Sequence, residues 1–432
     1  MTRTSFGIII VVTVALLSSA GCKMPVAGSG SLTGRVTMLS TGQPMKGVAV
    51  VYGDSAVYTG DDGTYLYEGI PDGLQGVSFV MDGYYKVMQQ VTIPDGGTAA
   101  CDAQLDIMVT GWAAGGEESG YGTVLRTSDA GRTWVRQGNT SMIPAVRLTD
   151  VCAVDDMTCW IAGEADTVSL RTVLLHTADG GQTWTNQGNS VSGLPPVSIA
   201  AVIAQNSDTA WAAVSDTCMI IKTTNGGSSW SVCRESQAVV SYSALTRAAS
   251  GEIWACGQSS AGGVAVEYSP DGGRTWSEYE VGAAYALQVP TDICAVSPSS
   301  LYLTGTNAMG VLFSSDKGRS WRSVQSDGAG LLSMDVCGDG QVWVCGENGT
   351  MYISADGFST SRRLSPADMY PGGVITSVSF LRDGQRGAFS VVSSTGATGS
   401  VLYSTDGGVN WSESSLPFEF SLESLDFVGG SN

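Results

Sequence analysis

Basic charge is scarce in this 432-residue chain: 21 Lys+Arg stand against 40 Asp+Glu, a formal net charge of −19. Nucleic-acid binding draws its free energy from Lys and Arg neutralising phosphates, so this balance excludes nucleic acid as the expected partner. Charged residues of both signs make up only 14% of the chain, and the excess acid reads as a solvated surface. Histidine is rarer still. His176 is the single copy, in a strand beside an aspartate turn. One imidazole builds neither a Ser–His–Asp arrangement nor a zinc site, and no Cys-x-x-Cys occurs, so no metal and no cofactor are expected. Helix-period patterns are few. The 57 glycines and the β-branched runs point instead to many short strands joined by tight turns, an all-β chain.

The first residues stand apart. Arg3 precedes an apolar stretch, FGIIIVVTVALL at 6–17, too short for a comfortable membrane span. Ser18-Ser19-Ala20-Gly21-Cys22 follows, and small residues before a Cys resemble a bacterial lipoprotein signal. The resemblance implies that residues 1–21 are removed and that Cys22 carries the lipid anchor. Ser19 stands where that family usually has Leu, and an ordinary secretory signal cut nearby is the alternative. Both imply export. Lys23, not Asp, follows the Cys, so an outer-membrane or cell-surface lipoprotein is expected.

Residues 22–31, ending in PVAGSGS, read as a tether. From 32 to 106, apolar alternation is broken by turn residues every eight to twelve positions, the signature of a β-sandwich. The order Gly-x-Val, Pro-x-x-Gly-Val-x-Val, TGDDGTY at 59–65 and Gly-Tyr-Tyr resembles the carboxypeptidase regulatory-like, transthyretin-like domains. That family implies a spacer or adhesion unit of Ig/transthyretin-like fold without catalytic residues. Asp61-Asp62 reads as a β-turn rather than a cation site.

Beyond residue 107 the sequence repeats. TSDAGRTW, TADGGQTW, TTNGGSSW, SPDGGRTW, SSDKGRSW and STDGGVNW recur, and SADGFSTS at 354–361 is a seventh copy without its Trp. The acidic or amide positions, Asp129, Asp179, Asn225, Asp271, Asp316, Asp356 and Asp406, fall 40 to 50 residues apart. The tryptophans are Trp134, Trp184, Trp230, Trp276, Trp321 and Trp411. An aromatic marker precedes each copy: Trp112, Trp160, Trp211, Trp254, Tyr302, Trp343 and Phe389. Four short antiparallel strands per period make a propeller blade, so residues 107–432 are expected to form a seven-bladed β-propeller. The first copy has no leading strand, and SLESLDFVGG at the end looks like a lone one. Residues 421–428 are therefore expected to complete blade 1 and close the ring.

The repeated motif is the Asp-box, and its chemistry is local. The carboxylate accepts from turn N–H groups, the first Ser or Thr bonds across the turn, and Gly allows the reversal. Asn225 keeps the acceptor where a catalytic carboxylate would not tolerate replacement. A sialidase needs three arginines, a Tyr–Glu nucleophile pair and an Asp acid. Its Phe/Tyr-Arg-Ile-Pro segment is missing here, and residues 107–125 hold no Arg. GWAAGGEESGYGTVLRTSDAGRTW (111–134) and CWIAGEADTVSLRTVLLHTADGGQTW (159–184) instead resemble the photosystem II assembly/stability factor family. That resemblance implies a non-enzymatic scaffold binding protein segments, with no catalytic residues. A carbohydrate-active protein, whether a sialidase-like glycosidase or a glycan-binding lectin, is the alternative.

Cysteines in an exported chain suggest disulfides. Blade register suggests Cys152–Cys159, Cys218–Cys233, Cys337–Cys345 and Cys256–Cys294, leaving Cys101 over.

Overall fold

The computed structural model describes residues 28–39, 41–118, 120–190, 195–215, 217–282, 288–306, 309–325, 328–338, 340–364, 372–393, 399–417 and 421–428. The expected signal peptide and Cys22 lie outside the described residues. The chain divides into two compact units, 1–106 and 107–432. Nearly all regular structure is β, and no helix among the described residues is long and apolar enough to cross a membrane.

The first unit holds two four-stranded sheets. In one, Ser29–Met38 pairs with Thr64–Pro71 on one side and with Thr98–Ala100 and Ala103–Leu105 on the other. The second runs Ser55–Tyr58, Ala49–Tyr52, Gly73–Val80, Val87–Ile93. Alternation puts Leu32, Val36, Val50, Val77 and Phe79 into one shared core. Asp61 pairs with Lys46 at 2.6 Å, outside the turn, and Asp62 accepts the Thr64 N–H at 3.0 Å within it.

The second unit is a β-propeller, and its described strands form seven four-stranded antiparallel sheets. Their first strands are Leu148–Ala153, Ile199–Ala204, Val239–Arg247, Pro290–Ala295, Leu331–Val336 and Val374–Phe380, for sheets two to seven. In sheet one the equivalent strand comes from the end of the chain: Leu422–Phe427 pairs with Gly111–Glu118, Asp426 opposite Trp112 and Phe427 opposite Gly111. The second strands of sheets two to six, Cys159–Gly163, Ala210–Val214, Ile253–Ser259, Leu301–Gly305 and Val342–Gly346, are almost wholly buried. They read as continuous apolar runs because both faces are covered by neighbouring sheets. Fourth strands, such as Val135–Arg136 and Arg322–Gln325, are short and largely exposed.

The expected disulfides do not form among the described residues. Register explains each case. Cys152 lies opposite Trp160 and Cys159 opposite Ala153, so the two side chains leave the sheet on opposite faces and enter different cores. Cys256 packs in the core between sheets four and five, whereas Cys294 turns to the next core. Cys345 pairs across from Ser333, four positions up the strand from Cys337, roughly 13 Å at the usual rise per residue. Cys233 falls in a register shift beside Ile220, and Cys218 lies opposite Ser236.

Candidate functional site

All seven Asp-boxes have one local design. In the fourth, Ser269 Oγ donates to Asp271 Oδ1 at 3.0 Å and accepts the Gly273 N–H at 2.8 Å. Asp271 then accepts the Thr275 N–H and the Thr275 hydroxyl, both at 2.8 Å. These donors hold the Asp271 carboxyl below its ordinary range against the opposing effect of burial. Asn225 keeps one acceptor oxygen for Ser229 N–H at 3.0 Å, and its amide donates to Ser229 Oγ at 2.9 Å. Two successive left-handed residues make each reversal. Gly181, with φ of 84°, also sits where a Cβ would come 2.9 Å from the Trp112 ring, so shape and conformation both demand glycine.

The box tryptophans do more than anchor their own strand. Trp184 meets Trp112 of the preceding sheet edge to face at 5.5 Å, and Trp230 meets Trp160 at 5.7 Å. Trp211 and Trp254 donate their indole N–H groups to box carbonyls of the following sheet, Gly272 and Lys317, each at 3.2 Å. Marker and box are thus two halves of a clasp between sheets. In the sixth box Phe358 takes the left-handed position, and its ring meets Tyr302 at 5.7 Å. A residue at a different offset therefore replaces the missing Trp.

The first strands of all seven sheets line a cavity of about 190 Å³ walled by Ser, Thr and Asp. These side chains join one sheet to the next. Asp150 accepts the Val202 N–H at 2.9 Å, Asp292 the Met334 N–H at 2.8 Å, Asp335 the Phe380 N–H at 2.6 Å and Asp426 the Ala153 N–H at 2.8 Å. Hydroxyls serve elsewhere: Thr246 accepts from Ala295 at 3.2 Å and Ser377 from Leu425 at 3.1 Å. Ala201 and Ile203 carry no side-chain oxygen, so the junction of sheets three and four is apolar there. Burial pushes Asp150 up to about 6 against the opposing Val202 N–H, and Asp292 up to about 7.

At the open end where the first strands begin, Arg147 grips Glu423 with two bonds of 2.8 and 2.6 Å. At the opposite end, the hairpins leaving the first strands of sheets four to seven enclose a groove of about 280 Å³. Ala248, Val296, Pro298 and Cys337 line it, with Arg247 and Arg382 among them. The Arg247 Nε is buried without a hydrogen-bond partner, and burial lowers its pKa from the ordinary value while Glu252 opposes this. Two guanidinium groups beside an apolar wall suit an acceptor such as a carboxylate or a peptide carbonyl.

One Tyr–Glu pair was not anticipated from the sequence. Tyr242 donates to Glu267 at 2.6 Å, and Arg234 and Ser236 bind the same carboxylate at 2.8 and 2.6 Å. Tyr242 and Glu267 are buried at 2% and 0% exposure, which leaves no approach for a substrate. Glu267 repeats in no other sheet, so only three-dimensional proximity reveals the cluster. His176 stacks on Trp160 at 4.0 Å, and burial lowers its pKa, with Asp208 opposing. Among the described residues, no three His, Cys, Asp or Glu gather as metal ligands.

The profile of the photosynthesis system II assembly factor YCF48 family matches residues 167–395, and that of the BNR/Asp-box repeat matches 402–413. Among solved structures, YCF48 from Cyanidioschyzon merolae is 21% identical, covering 68% of this chain and 94% of its own, with a TM-score of 0.46. The structure titled YCF48 bound to D1 peptide is 20% identical, covering 62% of this chain and 82% of its own, with a TM-score of 0.47. U3-55K is 11% identical, covering 66% and 86%, with a TM-score of 0.50. No curated protein matches the chain.

Proposed function

The chain belongs to the photosynthesis system II assembly factor YCF48 family, and from that membership we propose a non-enzymatic binding protein of the cell envelope whose β-propeller holds a segment of another protein. In this reading the seven sheets are blades of one ring that Leu422–Phe427 closes. The two-sheet first unit is a β-sandwich stalk, and a lipid on Cys22 anchors the whole to an outer membrane or cell surface.

One observation carries the binding reading. The groove at the hairpin end is open and partly apolar and has the Arg247 and Arg382 side chains on its wall, whereas the carboxylates of the cavity are occupied by backbone N–H groups of neighbouring sheets. A general acid or base needs a free carboxyl within reach of substrate, so the cavity favours cohesion over catalysis. The test is capture of native envelope proteins by the purified chain, run beside a glycan array. Specific protein capture that Arg247→Ala weakens is the expected result. Glycan turnover abolished by Asp150→Asn or Asp292→Asn would overturn it in favour of a carbohydrate-active protein.

A further inference from the structure

The outer rim between sheets five and six carries cations in a chain dominated by acid. Arg322 begins the fourth strand of sheet five, Arg322–Gln325, and Arg363 lies in that of sheet six, Arg362–Leu364. Both side chains are exposed. Arg322 stands over Phe313 at 4.9 Å, and Arg363 lies across from Tyr352. Phe313 and Tyr352 pack in the same core between these two sheets, so both arginines leave their strands into one crevice. Ser361 and Gln325, hydrogen-bonded at 3.0 Å, tie the two strands together at that place.

Three arginines of the unit are paired with carboxylates: Arg147 with Glu423, Arg234 with Glu267 and Arg386 with Asp383. Among the described residues, no carboxylate pairs with Arg322 or Arg363, although acid outnumbers base almost two to one in the chain. Nearby Asp316 and Asp356 are held inside their own boxes by Ser320 and Thr360. An anion lodged in that crevice would be attracted by both guanidinium groups. Moreover, both strands are the outer edges of their sheets, with a row of backbone groups facing outward.

We propose that this rim binds an acidic segment of a partner protein in extended form, added as a fifth strand to the edge of sheet five or six. Alternate carboxylates of such a segment all point to one face, where Arg322 and Arg363 meet them, while main-chain bonds supply sequence-independent grip. Edge arginines ordinarily deter strand addition, so the same pair rejects neutral and basic segments. The proposal rests on the protein-binding reading above but uses a different surface from the groove.

The probe is a synthetic peptide alternating Glu and Val, followed by fluorescence anisotropy on the full chain. Arg322→Glu/Arg363→Glu should weaken binding by about tenfold or more, and Arg322→Gln/Arg363→Gln should weaken it less. Arg274→Glu, an exposed reversal in another box, should leave it unchanged. Raising salt from about 0.05 to about 0.5 M should also weaken it. Equal affinity for the wild type and the double reversal overturns the proposal. So does loss of heparin or anionic-vesicle binding in the double reversal without peptide binding by the wild type, which assigns the rim to a polysaccharide or a lipid surface. Envelope-protein capture retained by the double reversal would leave the groove reading standing whichever way the peptide result falls.

Discussion

Two buried aspartates set the expected response to pH. Asp150 and Asp292 bind protons more tightly when folded, at about 6 and about 7, than in the unfolded chain, where a carboxyl titrates near 4. Between those limits the folded state holds more protons, so stability falls as pH rises from about 4 to about 7 and levels off above. The box aspartates work in the opposite sense: held below their ordinary range, Asp179, Asp271, Asp316, Asp356 and Asp406 lose their contribution as pH falls through that range. Thermal melts across this window should show a declining melting temperature, and Asp292→Asn should flatten the decline. An unchanged slope in that variant would remove Asp292 as a cause. Sequence displayed the box aspartates because each box repeats the same bonds within a few residues. Asp150 and Asp292 stood in LTDVCA and PTDICA without any signal, since their partners, Val202 and Met334, belong to the next repeat.

At the scale of the element, marker aromatic and box tryptophan form one clasp across two sheets. Trp184→Ala removes a nearly buried ring from against Trp112 and opens a cavity, at a cost of about 3–5 kcal/mol. Urea unfolding measures this, and a loss below about 1 kcal/mol would mean that the clasp contributes little. Both halves were legible as residues, because large aromatics recurring at one offset must be buried somewhere. Their partnership was not, for it requires knowing which sheet follows which in space. The cysteines make the same point from the other side. Spacing placed Cys152 and Cys159 near one hairpin, but a strand alternates its faces at every residue, and that parity separates them. The groove was hidden for a related reason, since its lining comes from four hairpins far apart in the sequence.

For the whole molecule, the junction of the last strand with the first sheet is the critical seam. Leu422–Phe427 pairs with Gly111–Glu118, Asp426 holds Ala153 of sheet two, Ser377 of sheet seven holds Leu425, and Arg147 clamps Glu423 from outside. Deleting residues 421–432 leaves the Gly111–Glu118 edge unpaired and removes all these bonds at once. The truncated protein should melt at a much lower temperature and self-associate, as light scattering would show, whereas an unaltered monomer with native stability would mean the seam is dispensable.

That seam also has a meaning in time. Sheets two to seven are each complete once their own stretch of chain has emerged, whereas the first sheet of the propeller must wait until Leu422–Phe427 is made. A ribosome that stops before those residues, or a protease that removes them, leaves a product whose first propeller sheet is unfinished and whose cohesion is lost with it. The folded state thereby reports whether synthesis has passed residue 427.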